Sequence, residues 1–354
     1  MAKELLDELD QICRIDMAGM LGVVERTPEM LAEIEKIIPV IPFKKVGKIG
    51  NIVIAGMGGS AIAGDIAAEL LTLKCSVPIN VCRGYLLPAY VDPSTLFIAT
   101  SYSGDTEEVL TLLKEAEKKK AKIACITSGG KLKEIAEKNK YPLFVIPGGF
   151  QPRAALPFIL VPLFRIFEKL GFYPSLPQEI KEAIALLKDL KNEYNSQNPL
   201  RTNPVKQLAK KLAGKTPIIF GSVGTTNSAA LRFKDQFNEN GKITALNCAF
   251  PELNHNDIVN FAALKRGEHN FSLIILRDSL DGERIKKRIE ITKSIISSSI
   301  GGVNEIFSQG RGMFAKAMSL VLFADFLSVY SALLKEVDPS RIDPIIRLKK
   351  EMSR

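Results

Sequence analysis

The chain has 354 residues, long enough for about two domains, and is 46% hydrophobic, with 48 Lys and Arg against 39 Asp and Glu for a formal net charge of +9. The excess lies in mixed-sign stretches such as residues 114–122 and 179–193, which read as solvated helix faces, and with no zinc-finger, homeodomain or RRM signature it does not call for a nucleic-acid partner. Five scattered cysteines without a C-x-x-C pair, and histidines only at 255 and 269, exclude a disulfide framework and a cysteine or multi-histidine metal site, and fit a reducing cytoplasm.

Residues 1–16 are charged throughout, with no apolar signal core. Residues 1–38 read as helical, broken at Arg26-Thr27-Pro28, where Thr27 suits a cap and Pro28 a first turn. The short, wholly apolar run NIVIA at 51–55 has the pattern of a buried parallel strand. It leads through Gly56-Met57-Gly58-Gly59-Ser60 into a helix over 61–71. The glycines allow a tight turn and close approach of backbone to a ligand. The spacing is G-x-G-G-S, and no strand ending in an acid follows where a dinucleotide fingerprint needs one, so no nicotinamide cofactor is expected.

Further strands are predicted at 79–82, 96–100, 122–127 and 143–146, mostly with helices between them, which calls for a doubly wound, mostly parallel sheet. Ligands on such sheets sit at the carboxyl ends of the strands. Gly58-Gly59-Ser60, Ser101-Tyr102-Ser103 and Thr127-Ser128-Gly129-Gly130 all fall at such ends. The second of these is the most pointed. An apolar strand ends in Ser-Tyr-Ser-Gly-Asp-Thr, and Val109, Leu112, Leu113 and Ala116 then mark one face of a helix. Ser101, Ser103 and Thr106 thus place three hydroxyls beside the N–H groups of a helix N-terminus. That setting suits either an anion such as phosphate or simple capping of the helix.

Apolar helices follow at 153–170 and 314–334, interrupted by Pro162 and Arg165 and by Asp325, and neither is expected to span a membrane. Residues 172–200 read as a connector with one amphipathic helix. Beyond it the pattern recurs: IIFGSVGTTN at 218–227 parallels IVIAGMGGSA at 52–61, with Gly221 and Gly224 matching Gly56 and Gly59 at one offset. Strands are predicted again at 243–247, 272–276 and 303–307. The second half has no hydroxyl loop; FPELNHND stands at 250–257 instead.

Four side chains could carry chemistry. Glu239 lies near the end of a predicted helix, where a carboxylate works against the helix dipole; it is either a solvated acid or a general base. His255, among Asn254, Asn256 and Asp257, is a surface histidine or an acid/base working near neutral pH. Arg153 and Lys316 are cations at the starts of the two apolar helices, placed for snorkelling or for function. His269, between charged residues, reads as solvated.

The order GMGGSAIAGD, ATSYSGDTEE, PRAALP, FNENGK and PELNHND is similar to that of the bifunctional phosphoglucose/phosphomannose isomerases, a group of the phosphoglucose isomerase superfamily, and residues 101–108 resemble the phosphate loop of sugar isomerase (SIS) domains. The resemblance implies an α/β fold of two doubly wound, mostly parallel-sheet SIS-type domains in tandem. Their expected bounds are a helical segment at 1–40, a phosphate-binding domain at 41–152, connecting helices at 153–198 and a catalytic domain at 199–354. It implies that Ser101, Ser103 and Thr106 hold a sugar phosphate and that Gly58, Gly59 and Ser60 line the site. Glu239 would move a proton between C1 and C2, Arg153 would stabilise the enediolate, and His255 and Lys316 would open and close the ring. The histidine would come from the neighbouring subunit of a homodimer, and neither metal nor cofactor would be needed.

Gln309, seven residues before Lys316, is also carried over as a substrate contact. It is the residue of conventional phosphoglucose isomerases at that spacing, where the bifunctional pattern has a smaller Thr that makes room for the mannose epimer. Ser308 stands beside it. The expected reaction is exchange of fructose 6-phosphate with glucose 6-phosphate and with mannose 6-phosphate. Two rivals remain open on the sequence: a non-catalytic SIS sensor of phosphosugars, and an isomerase of an amino-sugar phosphate.

Overall fold

In the computed structural model, residues 4–37, 47–265, 270–300 and 302–352 are described. His269 lies outside them, as do the ends of the expected N-terminal helical segment. The chain divides into two compact units. One comprises Thr27–Ile184 with Gly312–Ala315; the other comprises Met1–Arg26, Ala185–Arg311 and Lys316–Arg354.

Three short helices open the chain: α1 (Leu9–Ile15), α2 (Met20–Glu25) and α3 (Thr27–Ile37), with Pro28 in the first turn of the last. The α2 N-terminus follows a left-handed glycine, and the Asp16 carboxylate accepts the Met20 and Leu21 N–H groups at 2.8 and 2.7 Å. Then come β1 (Asn51–Ala55), α4 (Gly58–Leu71), β2 (Ile79–Cys82), β3 (Thr95–Thr100), α5 (Glu107–Lys118), β4 (Lys122–Thr127), α6 (Gly130–Asn139), β5 (Leu143–Val145), α7 (Leu156–Lys169) and α8 (Leu176–Tyr194). The strands form one parallel sheet in the order β2-β1-β3-β4-β5. β3 at its centre is buried along its whole length. Val53, Phe97 and Cys125 point to one face, where α5 adds Val109, Leu112 and Leu113 and α6 adds Leu132 and Ala136. On the opposite face Gly64 of α4 rests against Ile54 and Val81.

The other unit contains α9 (Pro204–Leu212), β6 (Thr216–Ser222), α10 (Asn227–Glu239), β7 (Leu246–Phe250), α11 (Asp257–Ala263), β8 (Phe271–Arg277), α12 (Glu283–Ile296) and β9 (Val303–Phe307), followed by most of α13 (Met313–Leu334) and by α14 (Asp343–Met352). Its parallel sheet has the order β7-β6-β8-β9. This is the first four positions of the other sheet repeated, so the topology supports duplication of one unit. The repeated glycine has one physical reason in both copies. A Cβ on Gly56 would lie 3.1 Å from the Ala61 nitrogen, and one on Gly221 would lie 2.9 Å from the Asn227 Cα, so each strand end runs tight against the helix that follows.

Several element ends shift by one to three residues from the sequence reading, and two of the shifts matter most. Gly58, Gly59 and Ser60 form the first turn of α4 and not a loop before it. β7 begins at Leu246, three residues late, because the segment before it finishes α10: the Ile243 N–H bonds the Phe237 carbonyl at 3.0 Å, and the Lys242 ammonium caps the Glu239 carbonyl at 2.9 Å. Helix α13 is long and apolar enough to cross a membrane, and 94% of its apolar window is buried inside the protein.

Glu179 ties the start of α8 to the start of α13 within one unit. Burial pushes its carboxyl pKa up, but the Phe314 N–H (3.0 Å), the Tyr173 hydroxyl (2.7 Å) and the Ser175 hydroxyl (2.8 Å) stabilise the anion and leave the pKa below the ordinary 4.5. A carboxyl held low when folded contributes stability above its unfolded pKa and loses it as pH falls through the folded value. Chemical denaturation from pH 7 down to pH 3 should therefore show stability declining below about pH 4.5 in the native chain. Glu179→Gln should be less stable by roughly 1–2 kcal/mol at pH 7, with a flatter acid limb.

Candidate active site

The hydroxyl loop follows β3 directly. Ser101 is buried, and its Oγ lies 2.8 Å from Thr106 Oγ1 and accepts the Gly104 N–H at 3.1 Å. Thr106 is the residue before α5, yet no side chain caps that helix. Its hydroxyl is turned to Ser101 and caps none of the first-turn N–H groups, and Glu107 and Glu108 in that turn oppose an added anion. Ser103 is exposed and accepts the Asp105 N–H at 3.3 Å.

The other two predicted loops meet this one. The Tyr102 N–H donates to Ser60 Oγ at 3.3 Å, which joins the hydroxyl loop to the first turn of α4. The Ser128 hydroxyl donates to the Tyr102 carbonyl at 2.6 Å, and the Asp105 carboxylate accepts the Lys131 N–H at 3.1 Å. Gly104 has φ +78°, and a Cβ there would fall 1.8 Å from the Gly129 carbonyl oxygen. Arg153 sits in a short turn (Pro152–Ala154) before α7 and is only 2% exposed, so it does not snorkel. Its backbone packs on α4: a Cβ on Gly59 would be 2.6 Å from the Pro152 oxygen and 3.1 Å from the Arg153 Cα. Tyr102, which carried no signal of its own in the sequence, ties the loop to the approach to Arg153. Its hydroxyl donates to the Pro147 carbonyl and accepts the Phe150 N–H, both at 3.0 Å.

In the other unit, Glu239 is the last residue of α10 and is half-buried. Lys316, 5% exposed, comes from the first turns of α13. These two helices are joined by a buried pair in which Arg232 holds Asp325 from Nε (3.1 Å) and Nη2 (2.8 Å), with Gln236 adding a third bond at 2.7 Å. The Asp325 that interrupts the apolar run is thus the partner of an arginine one helix away. The Lys316 ammonium bonds Asp278 Oδ1 at 3.1 Å and the Ser279 hydroxyl. His255 follows a short turn after β7 and is exposed, and its ring makes no hydrogen bond to any described residue. Its polar neighbours are spent on structure: Asn254 bonds Thr292 of α12 at 2.8 Å, and Asn256 caps α11.

Each of the two sheets falls within a family match. Residues 46–146 match the SIS domain family, and residues 201–352 match the family described as bacterial phospho-glucose isomerase C-terminal SIS domain. A bifunctional phosphoglucose/phosphomannose isomerase of Caldicellulosiruptor bescii is 43% identical over 87% of this chain and 91% of its own length. One from Thermoplasma acidophilum is 39% identical over 87% and 92%. The chain belongs to the bifunctional phosphoglucose/phosphomannose isomerase family. Its fold is also that of the C-terminal domain of a glucosamine-fructose-6-phosphate aminotransferase from Francisella tularensis, at TM-score 0.70 and 18% identity over 91% of this chain and 98% of that one.

For a chain of this family, two features stand apart from the sequence reading. Asp278 was not singled out, because DSLDGE reads as an ordinary turn before a helix. And Gln309 does not face Lys316: its side-chain amide donates to the Tyr194 hydroxyl at 3.3 Å, in a cavity of about 500 Å³ lined also by Phe307 and Phe323. The neighbouring Ser308 is the one that turns to the lysine's partner, donating to Asp278 Oδ2 at 2.6 Å. Consecutive residues leaving a strand point to opposite sides, so a shift of one position exchanges them.

Gly104→Ala should cost roughly 2 kcal/mol of stability, because the left-handed φ and the Gly129 oxygen both exclude a methyl group. In calorimetric titration with inorganic phosphate, the same variant should bind at least about tenfold more weakly than the native chain.

Proposed function

We propose that this chain interconverts glucose 6-phosphate and mannose 6-phosphate with fructose 6-phosphate, by proton transfer between C1 and C2 of the open-chain sugar through a cis-enediol. The isomerase activity itself accords with the family. The observation that supports the residue assignment is the division between the two units: the hydroxyl loop after β3 in one, and in the other Glu239 at the end of α10 and, separately, the Lys316–Asp278 pair at the start of α13. Residues 41–152 form the phosphate-binding domain and residues 199–354 the catalytic domain, with the intervening segment as a connector.

In this reading the phosphate binds through the hydroxyls of Ser101, Ser103 and Thr106 and the N–H groups opening α5. Gly58, Gly59 and Ser60 line the same site, where only small residues let the sugar approach the backbone. Lys316 gives a proton to the ring oxygen as the C1–O5 bond breaks, and His255 takes the proton of the anomeric hydroxyl, which returns through water to the lysine. Glu239 removes the C2 proton of the aldose and returns it to C1. The electron pair freed at C2 forms the C1=C2 bond of the enediolate, whose negative charge on O1 the Arg153 guanidinium stabilises; the O2 proton then passes to O1, and the C2 carbonyl forms as C1 takes up the proton. Every electron stays within the sugar, so the chemistry consumes no cofactor. With small Ser308 facing the lysine's partner and Gln309 turned to Tyr194, either configuration at C2 fits this reading.

The exposed, unbonded ring of His255 supports its use in the site of a second copy, and hence a homodimer. Glu239→Gln should lower turnover of fructose 6-phosphate by about 10²-fold or more in a coupled assay, the usual loss for a general base; a near-normal rate would sink the assignment. Glu239→Gln and His255→Ala should each be impaired alone. Mixed and allowed to exchange subunits, they should regain activity, because one of the two sites in a mixed dimer would then hold both native residues. No recovery on confirmed exchange would rule out a shared site.

A further inference from the structure

We propose that Asp278 is the positioning residue for Lys316, fixing the ammonium so that a single N–H is left for the substrate. The proposal rests on the role given to Lys316 above. A lysine ammonium has three donors. Asp278 Oδ1 and the Ser279 hydroxyl take two of them. Lys206, the other deeply buried lysine among the described residues, is a contrast within the same unit. Its three donors go to the Leu6 carbonyl (2.6 Å), the Ser196 carbonyl (2.8 Å) and the Asp7 carboxylate (3.2 Å), so nothing remains for a ligand.

Asp278 is held from several sides. Its Oδ1 also accepts the Leu280 N–H at 2.7 Å, and its Oδ2 accepts the Ser308 hydroxyl at 2.6 Å. Its own N–H goes to Asp281 Oδ2 at 3.0 Å, while Asp281 Oδ1 accepts the Thr225 hydroxyl at 2.7 Å. Thr225, Asp278 and Ser308 lie just beyond β6, β8 and β9, three adjacent strands. The network therefore runs along the carboxyl rim of the sheet, where ligands of such folds bind. A buried ion pair brings little net stability, since desolvation offsets the attraction. Its use here is orientation: the carboxylate cannot turn without breaking three contacts, and Lys316 cannot swing away from it.

The test is a double-mutant cycle on fructose 6-phosphate turnover with the full-length chain, comparing the native protein, Asp278→Asn, Lys316→Met and the double variant. Asparagine keeps the shape of Asp278 but presents an N–H₂ group to Lys316 or to Ser308. Asp278→Asn should lower kcat about tenfold or more with KM within about twofold, and in the Lys316→Met background it should lower kcat no further. If Asp278→Asn keeps kcat within twofold of native, or if the two losses multiply, the inference fails. Should Asp278→Asn not fold by thermal unfolding, Ser308→Ala decides, since it leaves the charges in place. It should lower kcat several-fold in the native background and not at all beside Lys316→Met; the same loss in both backgrounds would overturn the inference. A native chain that converts no fructose 6-phosphate would instead remove the reading of the reaction itself.

Discussion

A parallel strand must be covered on both faces, and that requirement organises both units. β3 and the inner residues of β6 and β8 are buried along nearly their whole length, so they carry apolar side chains and no chemistry. Polar groups can emerge only where the strands stop. Ser101 follows β3, Asp278 follows β8 and Ser308 follows β9, each at the first residue past the strand. The polar rim is thus a consequence of how a parallel sheet is covered, and the glycines at 56 and 221 are the cost of turning each strand into its helix within a few residues.

Burial also explains why the polar interior is sparse and specific. Among the described residues, Lys206, Arg232, Lys316 and Arg153 are buried cations, and each of the first three meets an acid. The first has all three donors committed and pins Leu6 and Asp7 to the unit. The second clamps α10 to α13 through a two-point contact with Asp325, which fixes the helix carrying Glu239 relative to the helix carrying Lys316. The third sits at the rim with a donor to spare.

Much of this was legible in the sequence. β2, β4 and β9 fall at the predicted residues, because apolar runs bounded by turn residues are hard to read otherwise. The hydroxyl loop was legible for a similar reason: three hydroxyls at a strand-to-helix turn are conspicuous. What escaped was whatever depended on which partner a residue takes, near or far along the chain. Ile243 reads as the start of a strand but is taken by the end of α10. Tyr102 reads as one more aromatic until its hydroxyl is seen to bridge to residues 147 and 150. Asp278 is hidden in a turn-like stretch, and choosing between Ser308 and Gln309 required knowing which way each side chain leaves β9.

The proposed reaction has a carboxylate move a proton between adjacent carbons of the sugar phosphate. Incubating fructose 6-phosphate with the native chain in D₂O and following it by NMR tests this most directly. The account predicts that glucose 6-phosphate and mannose 6-phosphate both appear, with solvent deuterium at C2, because a carboxylate that holds the proton exchanges it with water. Aldose phosphates formed with no solvent deuterium at C2, as a direct hydride shift would give, or fructose 6-phosphate left unchanged, would contradict it.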